Sequence, residues 1–99
     1  MSLPKLNAED VQAHMHHLPG WSYVDDKLCK QYEFKNFLES IRFVNQIAAA
    51  AESVNHHPDI YIRNKHVTLT LSTHDADGVT LQDTQLAASC DDIAEMMTG

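Results

Sequence analysis

The chain is short of positive charge. Of its 99 residues seven are Lys or Arg against fourteen Asp or Glu, a formal charge of −7, and the seven are dispersed along the sequence. A footprint on nucleic acid needs clustered Lys and Arg to displace counterions from phosphates, so no nucleic-acid partner is expected. Cysteine is equally scarce. Cys29 and Cys90 lie far apart, with neither metal-ligand nor redox spacing around them, and read as buried or half-buried free thiols suited to a reducing cytoplasm. Long apolar runs are absent too. Nothing approaches the roughly 20 apolar residues of a membrane helix, and none follows Met1–Leu6, so the expectation is a soluble, unexported, cytoplasmic protein with no membrane partner. Repeats, linkers and low-complexity tracts are missing as well. With 43% hydrophobic residues, positions 1–99 fit a single domain large enough to bury a core without staples.

What the chain does have is histidine, seven in all, and three of them in telling places: His56-His57 ahead of Pro58, and His74 closing Ser72-Thr73-His74. Imidazole ordinarily titrates near neutrality, so several brought together can both take up and release protons.

Punctuation and periodicity place these residues. Asn7 with Glu9 and Asp10 opens a helix that runs to about His16, and Pro19-Gly20 ends it. Trp21–Val24 and Leu28–Phe34 read as two strands about a short acidic turn. Asn36-Phe37-Leu38-Glu39 is a capping-box-like start, after which Phe37, Ile41, Val44, Ala48 and Ala51 recur at helical spacing. This helix must stop before Pro58, because the residue before a proline is pushed out of the α region, so the histidine pair sits on a helix exit. Ile60–Arg63 and His66–Thr73 form the next hairpin about Asn64-Lys65, with Val67, Leu69 and Leu71 alternating against Thr68, Thr70 and Ser72. After a loop at Asp75–Gly78, Thr80-Leu81-Gln82-Asp83 opens a last helix with Leu86, Cys90, Ile93 and Met97 as its apolar stripe. The expected fold is α+β, order αββαββα: a four-stranded antiparallel sheet with three helices packed on one face. The other face, with Thr68, Thr70 and Ser72, is left for solvent, a ligand or another subunit.

Glu52 precedes His56 by four residues, the spacing at which two helical side chains meet, and is expected to hydrogen-bond to it. His57 is expected to leave the helix in a different direction, so that the two imidazoles have separate tasks. His74 joins them if the strand ends beside the helix exit. Each residue also has a plain structural explanation: a histidine in a last helical turn suits the dipole, and Asp83 in Thr80-x-x-Asp83 suits a cap. The combination carries the functional reading.

The stretch Glu52-Ser53-Val54-Asn55-His56-His57-Pro58, continued by Val67 to His74 and then by Gly78 and Asp83, closely resembles the signature of pterin-4a-carbinolamine dehydratases, also called dimerisation cofactors. Gly20-Trp21, chain length and element order extend the resemblance to nearly the whole chain. It implies subunits that assemble into homodimers or homotetramers. It also implies loss of water from 4a-hydroxytetrahydrobiopterin to give quinonoid dihydropterin in tetrahydrobiopterin recycling, with no metal or organic cofactor. On the matching positions it makes His56, His57, His74 and Glu52 catalytic residues, with Asp83 closing the motif. Ser72, Thr73 and Asp83 are assigned to substrate binding, Ser72-Thr73 through backbone groups offered to a flat pterin edge. Where the family usually carries an aromatic residue this chain has Asn64, and nearby Tyr61 is the candidate to take its place.

Two rival readings remain. A metal site would use histidine, but adjacent histidines cannot share a helix face, no His-x-x-x-His pair exists, and neither cysteine joins the cluster. A binding module would instead use the helix face from Phe37 to Val54 to hold a protein partner's helix.

Overall fold

The computed structural model describes residues 3–98. In chain order the elements are α1 Ala8–Met15, β1 Ser22–Val24, β2 Lys27–Glu33, α2 Phe37–Val54, β3 Asp59–Arg63, β4 His66–Leu71, a 3-10 turn His74–Ala76, and α3 Leu81–Thr98. The expected order αββαββα is the observed one. Asn7 and Asn36 start the first two helices in the same way: each side-chain oxygen accepts a backbone N–H three residues on, from Asp10 at 2.8 Å and Glu39 at 2.9 Å. These bonds satisfy donors that a helix start otherwise leaves unpaired.

All strand pairs are antiparallel and the sheet order is β1-β2-β4-β3. The β1–β2 turn places Asp25 and Asp26 at φ 53° and 60°, a two-residue turn whose twist matches the strands it joins. In the β3–β4 turn Asn64 takes φ 54°. Asparagine tolerates that left-handed conformation far better than an aromatic residue does.

Residues paired across strands share a face. Leu28 lies opposite Leu71, Lys30 opposite Leu69, and Tyr32 opposite Val67, and this is the core side. Val67, Leu69 and Leu71 are fully buried there, under Phe43 and Ile47 of α2 and Leu86 and Cys90 of α3, while Val11 of α1 joins the same cluster. Tyr32, Phe34 and Phe43 form an aromatic knot, with Phe43 4.8 and 4.7 Å from the other two ring centres. The opposite face shows Cys29, Gln31, Tyr61, Thr68 and Thr70, none of them buried.

The core stripe of α2 differs from the expected one. Ser40, Phe43, Ile47 and Ala51 are buried, whereas Phe37 and Ala48 are exposed and Ile41 and Val44 half-buried. This helix carries apolar residues on two adjacent faces, and periodicity alone selects either. On α3 the expected stripe is correct: Leu86 and Cys90 are buried, with Ile93 and Met97 packed against them.

A polar tie fixes α3 across the sheet. Asp91 Oδ1 accepts from Tyr32 OH at 2.5 Å, Lys30 Nζ at 2.8 Å and Trp21 Nε1 at 3.1 Å. Burial, reinforced by this carboxylate, pushes the Tyr32 hydroxyl far above the ordinary tyrosine range. Burial likewise pushes the Cys90 thiol up to about 12. Both cysteines are free, Cys90 buried and Cys29 half-buried.

Candidate active site

Three chain ends meet at one corner of the fold. The first is the exit of α2. Asn55 adopts the left-handed conformation (φ 50°, ψ 45°), its N–H bonds back to Ala51 and Glu52, and the N–H of His56 also reaches the Ala51 carbonyl at 3.1 Å. This Schellman-type closure satisfies the last carbonyls and swings the chain off the helix axis. His56 is therefore turned inward, not stacked over Glu52.

The expected Glu52–His56 pair is accordingly replaced by two others. His56 Nε2 lies 2.5 Å from Asp83 Oδ1, and His57 Nε2 lies 2.6 Å from Glu52 Oε1. The four-residue rule presumes a helix that continues through both positions, and α2 stops at Val54. The two pairs differ in environment. His56 is 8% exposed and Asp83 fully buried, whereas His57 and Glu52 stand in solvent.

The second chain end is that of β4, which stops at Leu71 and not at Thr73. Thr73 bridges to Gly78 instead: its N–H donates to the Gly78 carbonyl at 2.8 Å, and its own carbonyl accepts from Ala76 at 3.1 Å. The loop expected at Asp75–Gly78 is thus a pinched turn, and His74 opens it from an exposed position. Both backbone groups of Thr73 are thus engaged within the turn.

The third is the start of α3. Thr80 Oγ1 accepts the N–H of Gln82 at 3.2 Å, and Asp83 Oδ2 accepts the N–H of Thr80 at 2.9 Å, a reciprocal capping box. Asp83 Oδ2 also accepts the Thr73 hydroxyl at 2.7 Å. One carboxylate thus closes the helix start and also holds His56.

These ends enclose an open cleft of about 410 Å³ lined by Asn55, His56, His57, Ser72, Thr73, His74, Asp75 and Gln82. Of the expected residues, His56, His57, His74, Ser72 and Thr73 are brought together here. Glu52 stands behind His57 and off the lining. Asp83 lies off the lining, fully buried behind His56 and bonded to that imidazole. Tyr61, paired with Thr68 on the face of the sheet opposite the core, lies outside the lining as well. Asn55, Asp75 and Gln82 were not foreseen; Gln82 was visible in the helix-start motif but read there as scaffold. Among the described residues no three His, Cys, Asp or Glu side chains are grouped to hold a metal ion. No described helix is long and apolar enough to cross a membrane. Chemically, the corner sets one anchored imidazole and two solvent-facing ones around a polar cleft.

Residues 4–93 match the family described as pterin 4 alpha carbinolamine dehydratase. The chain belongs to this family. Proteins named provisionally as pterin-4-alpha-carbinolamine dehydratases are 44% identical in Picosynechococcus sp., over 90% of this chain and 97% of that one. In Rhizobium meliloti one so named is also 44% identical, over 92% and 89%. Among solved structures, a transcriptional coactivator/pterin dehydratase from Brucella melitensis superposes with a TM-score of 0.88 at 32% identity, covering 91% of this chain and 98% of that one. A pterin dehydratase-like protein described as a RuBisCO assembly factor of the α-carboxysome shares the fold at a TM-score of 0.63 and 23% identity, over 75% of this chain and 86% of that one. The pterin dehydratase fold thus carries differently described proteins, so activity has to be argued from the cleft itself.

Proposed function

We propose that this chain is a hydro-lyase that eliminates water from a pterin-4a-carbinolamine, 4a-hydroxytetrahydrobiopterin in tetrahydrobiopterin recycling, by histidine general acid and base catalysis. One observation carries the reading: His56, His57 and His74, from two separate segments, line a single cleft. In the reaction the C4a–O bond breaks with its electron pair going to oxygen, which takes a proton and leaves as water. The adjacent ring nitrogen loses its N–H proton to a base as the C=N bond of the quinonoid product forms. Acid and base must therefore flank the ring. His56 and His74 exchange these protons, while His57, held by Glu52, binds and orients the substrate. Ser72 and Gln82 supply polar contacts to the ring edge. No step calls for a cofactor.

The test is a dehydration assay on freshly generated 4a-carbinolamine with the native chain, His56→Ala and His74→Ala. The native chain accelerates dehydration above buffer, and each variant loses on the order of 10² to 10⁴ in rate. A native chain no faster than buffer refutes the assignment; two fully active variants refute the histidine roles.

A second role is favoured by a separate observation. On α2 Phe37, Leu38 and Val54 are 50%, 70% and 55% exposed, apolar side chains outside the helix's buried stripe. Such a surface suits association, with further copies in a homodimer or homotetramer or with a helix of a protein partner. Sedimentation of the native chain and of Leu38→Glu tests it, the variant shifting to a smaller species. This role is compatible with catalysis.

A further inference from the structure

We propose that Thr73 and Thr80 are positioning residues whose hydroxyls fix the tautomer of His56, so that Nδ1 is the nitrogen presented to the cleft. The catalytic consequence rests on the proton-transfer reading above; the tautomer itself does not.

The direction of each hydrogen bond follows from its neighbours. The N–H of Thr80 has no alternative but to donate, and it donates to Asp83 Oδ2 at 2.9 Å. The N–H of Gln82 likewise donates to Thr80 Oγ1 at 3.2 Å. Thr80 Oγ1 lies 2.7 Å from Thr73 Oγ1, which in turn lies 2.7 Å from Asp83 Oδ2. A hydroxyl has one proton to give. If Thr73 gave its proton to Thr80, its oxygen and the carboxylate oxygen would face each other with lone pairs only. If Thr80 gives to Thr73 and Thr73 gives to Asp83, every contact has a proton in it. Thr80 and Asp83 are fully buried and Thr73 is 7% exposed, so water is not at hand to relieve a wrong arrangement.

The chain therefore runs one way, and every proton in it points at Asp83. A carboxylate that only accepts must be met by a donor at its other oxygen, and His56 Nε2, 2.5 Å from Oδ1, is that donor. With Nε2–H fixed, the remaining nitrogen, Nδ1, has no partner among the described residues, and His56 lines the cleft. Nothing in an ordinary capping box needs Thr73. Its hydroxyl couples the cap of α3 to the end of β4, so the orientation of His56 depends on two segments being in place.

The experiment reads tautomers first. Long-range ¹H–¹⁵N correlation spectra of the histidine side chains, recorded at about pH 8.5, where imidazole is mainly neutral, assign the proton on His56. Nε2–H is expected in the native chain; Nδ1–H overturns the proposal. Thr73→Val removes the hydroxyl donor at Asp83 Oδ2, and Thr80→Val weakens it by leaving the Thr73 oxygen without a donor; both keep volume and the Thr80 N–H bond to Asp83, loosen the carboxylate that sets the ring, and are expected to admit the Nδ1–H form. They should lower kcat by roughly tenfold with KM within about twofold, as loss of an orienting partner does. Thr73→Ser and Thr80→Ser keep the hydroxyl and restore both readings. Valine variants with native tautomer and native kcat overturn the proposal, as do serine variants as impaired as their valine counterparts. Because the spectra need no substrate, a native chain with Nε2–H and no dehydratase activity upholds the hydroxyl chain while refuting the reaction.

Discussion

Replacing Asp83 separates what its charge does from what its bonds do. The carboxylate is fully buried and accepts three hydrogen bonds, from His56, the Thr73 hydroxyl and the Thr80 amide. Asp83→Ala deletes both acceptor oxygens and leaves the Thr80 N–H and a His56 N–H without partners in the interior. At 1–3 kcal/mol for each buried donor left unpaired, the expected loss is roughly 3–5 kcal/mol. That is a large share of the ~5–15 kcal/mol by which domains of this kind are stable. Asp83→Asn preserves shape and swaps one acceptor oxygen for an NH₂ donor. The amide has two orientations. With NH₂ toward Thr73 and Thr80 it opposes the Thr80 amide, which cannot reverse. With NH₂ toward His56 the cap is preserved, and the ring answers by moving its proton from Nε2 to Nδ1. The second orientation wins, at about 1–2 kcal/mol for the lost charge assistance. The ring then presents a proton where the native one presents a lone pair, so kcat is expected to fall on the order of 10² or more. Urea unfolding and the dehydration assay together measure both effects. An Asn variant as unstable as the Ala variant, or an Asn variant with native kcat, refutes the reasoning.

Alkaline pH weakens the fold with a definite sign. The unfolded chain gives up the Cys90 proton around its ordinary 9.0 whereas the folded chain keeps it to about 12, so the native state binds more protons in that window. Stability is intact below pH 9 and falls above it at up to about 1.4 kcal/mol per pH unit, roughly 2 kcal/mol by pH 10.5. Tyr32, also raised, adds a loss of the same sign above its ordinary 10.0; urea midpoints against pH should show the decline, and Cys90→Ala should flatten its first part. Asn64→Phe places an aromatic at φ 54° and is expected to cost about 1–2 kcal/mol, while Asn64→Gly is near neutral; thermal unfolding distinguishes them. Asp91→Ala leaves Trp21, Lys30 and Tyr32 without their shared acceptor and should cost about 2–4 kcal/mol, read from urea unfolding followed by Trp21 fluorescence.

Where local chemistry is self-sufficient, the elements were legible in the sequence. Asn36 caps what it precedes, Pro58 bars a helix beyond His57, and the alternation from Val67 to Leu71 has only one face to bury. Legibility failed where two local rules compete or one is cut short. The α2 helix has two apolar faces, so spacing alone does not say that Phe43 is buried and Phe37 exposed. The Glu52–His56 spacing is a good helical pair on paper. A left-handed Asn55 between them removes the helix that the rule requires, and sends His56 to Asp83 instead.

Asp83 illustrates the harder case. Thr80-x-x-Asp83 satisfies a capping pattern, and a residue with a sufficient local reason offers no sign of a second one. A carboxylate has about four lone-pair directions, and the cap uses one. The others are free to collect Thr73 and His56 at no cost to the helix. A buried cap beside a histidine is thus a natural place for an orienting carboxylate: the helix has already met the cost of burying the charge by surrounding it with donors. What distinguishes the two roles is burial, since a cap that only caps can stand in solvent, as the oxygens of Asn7 and Asn36 do.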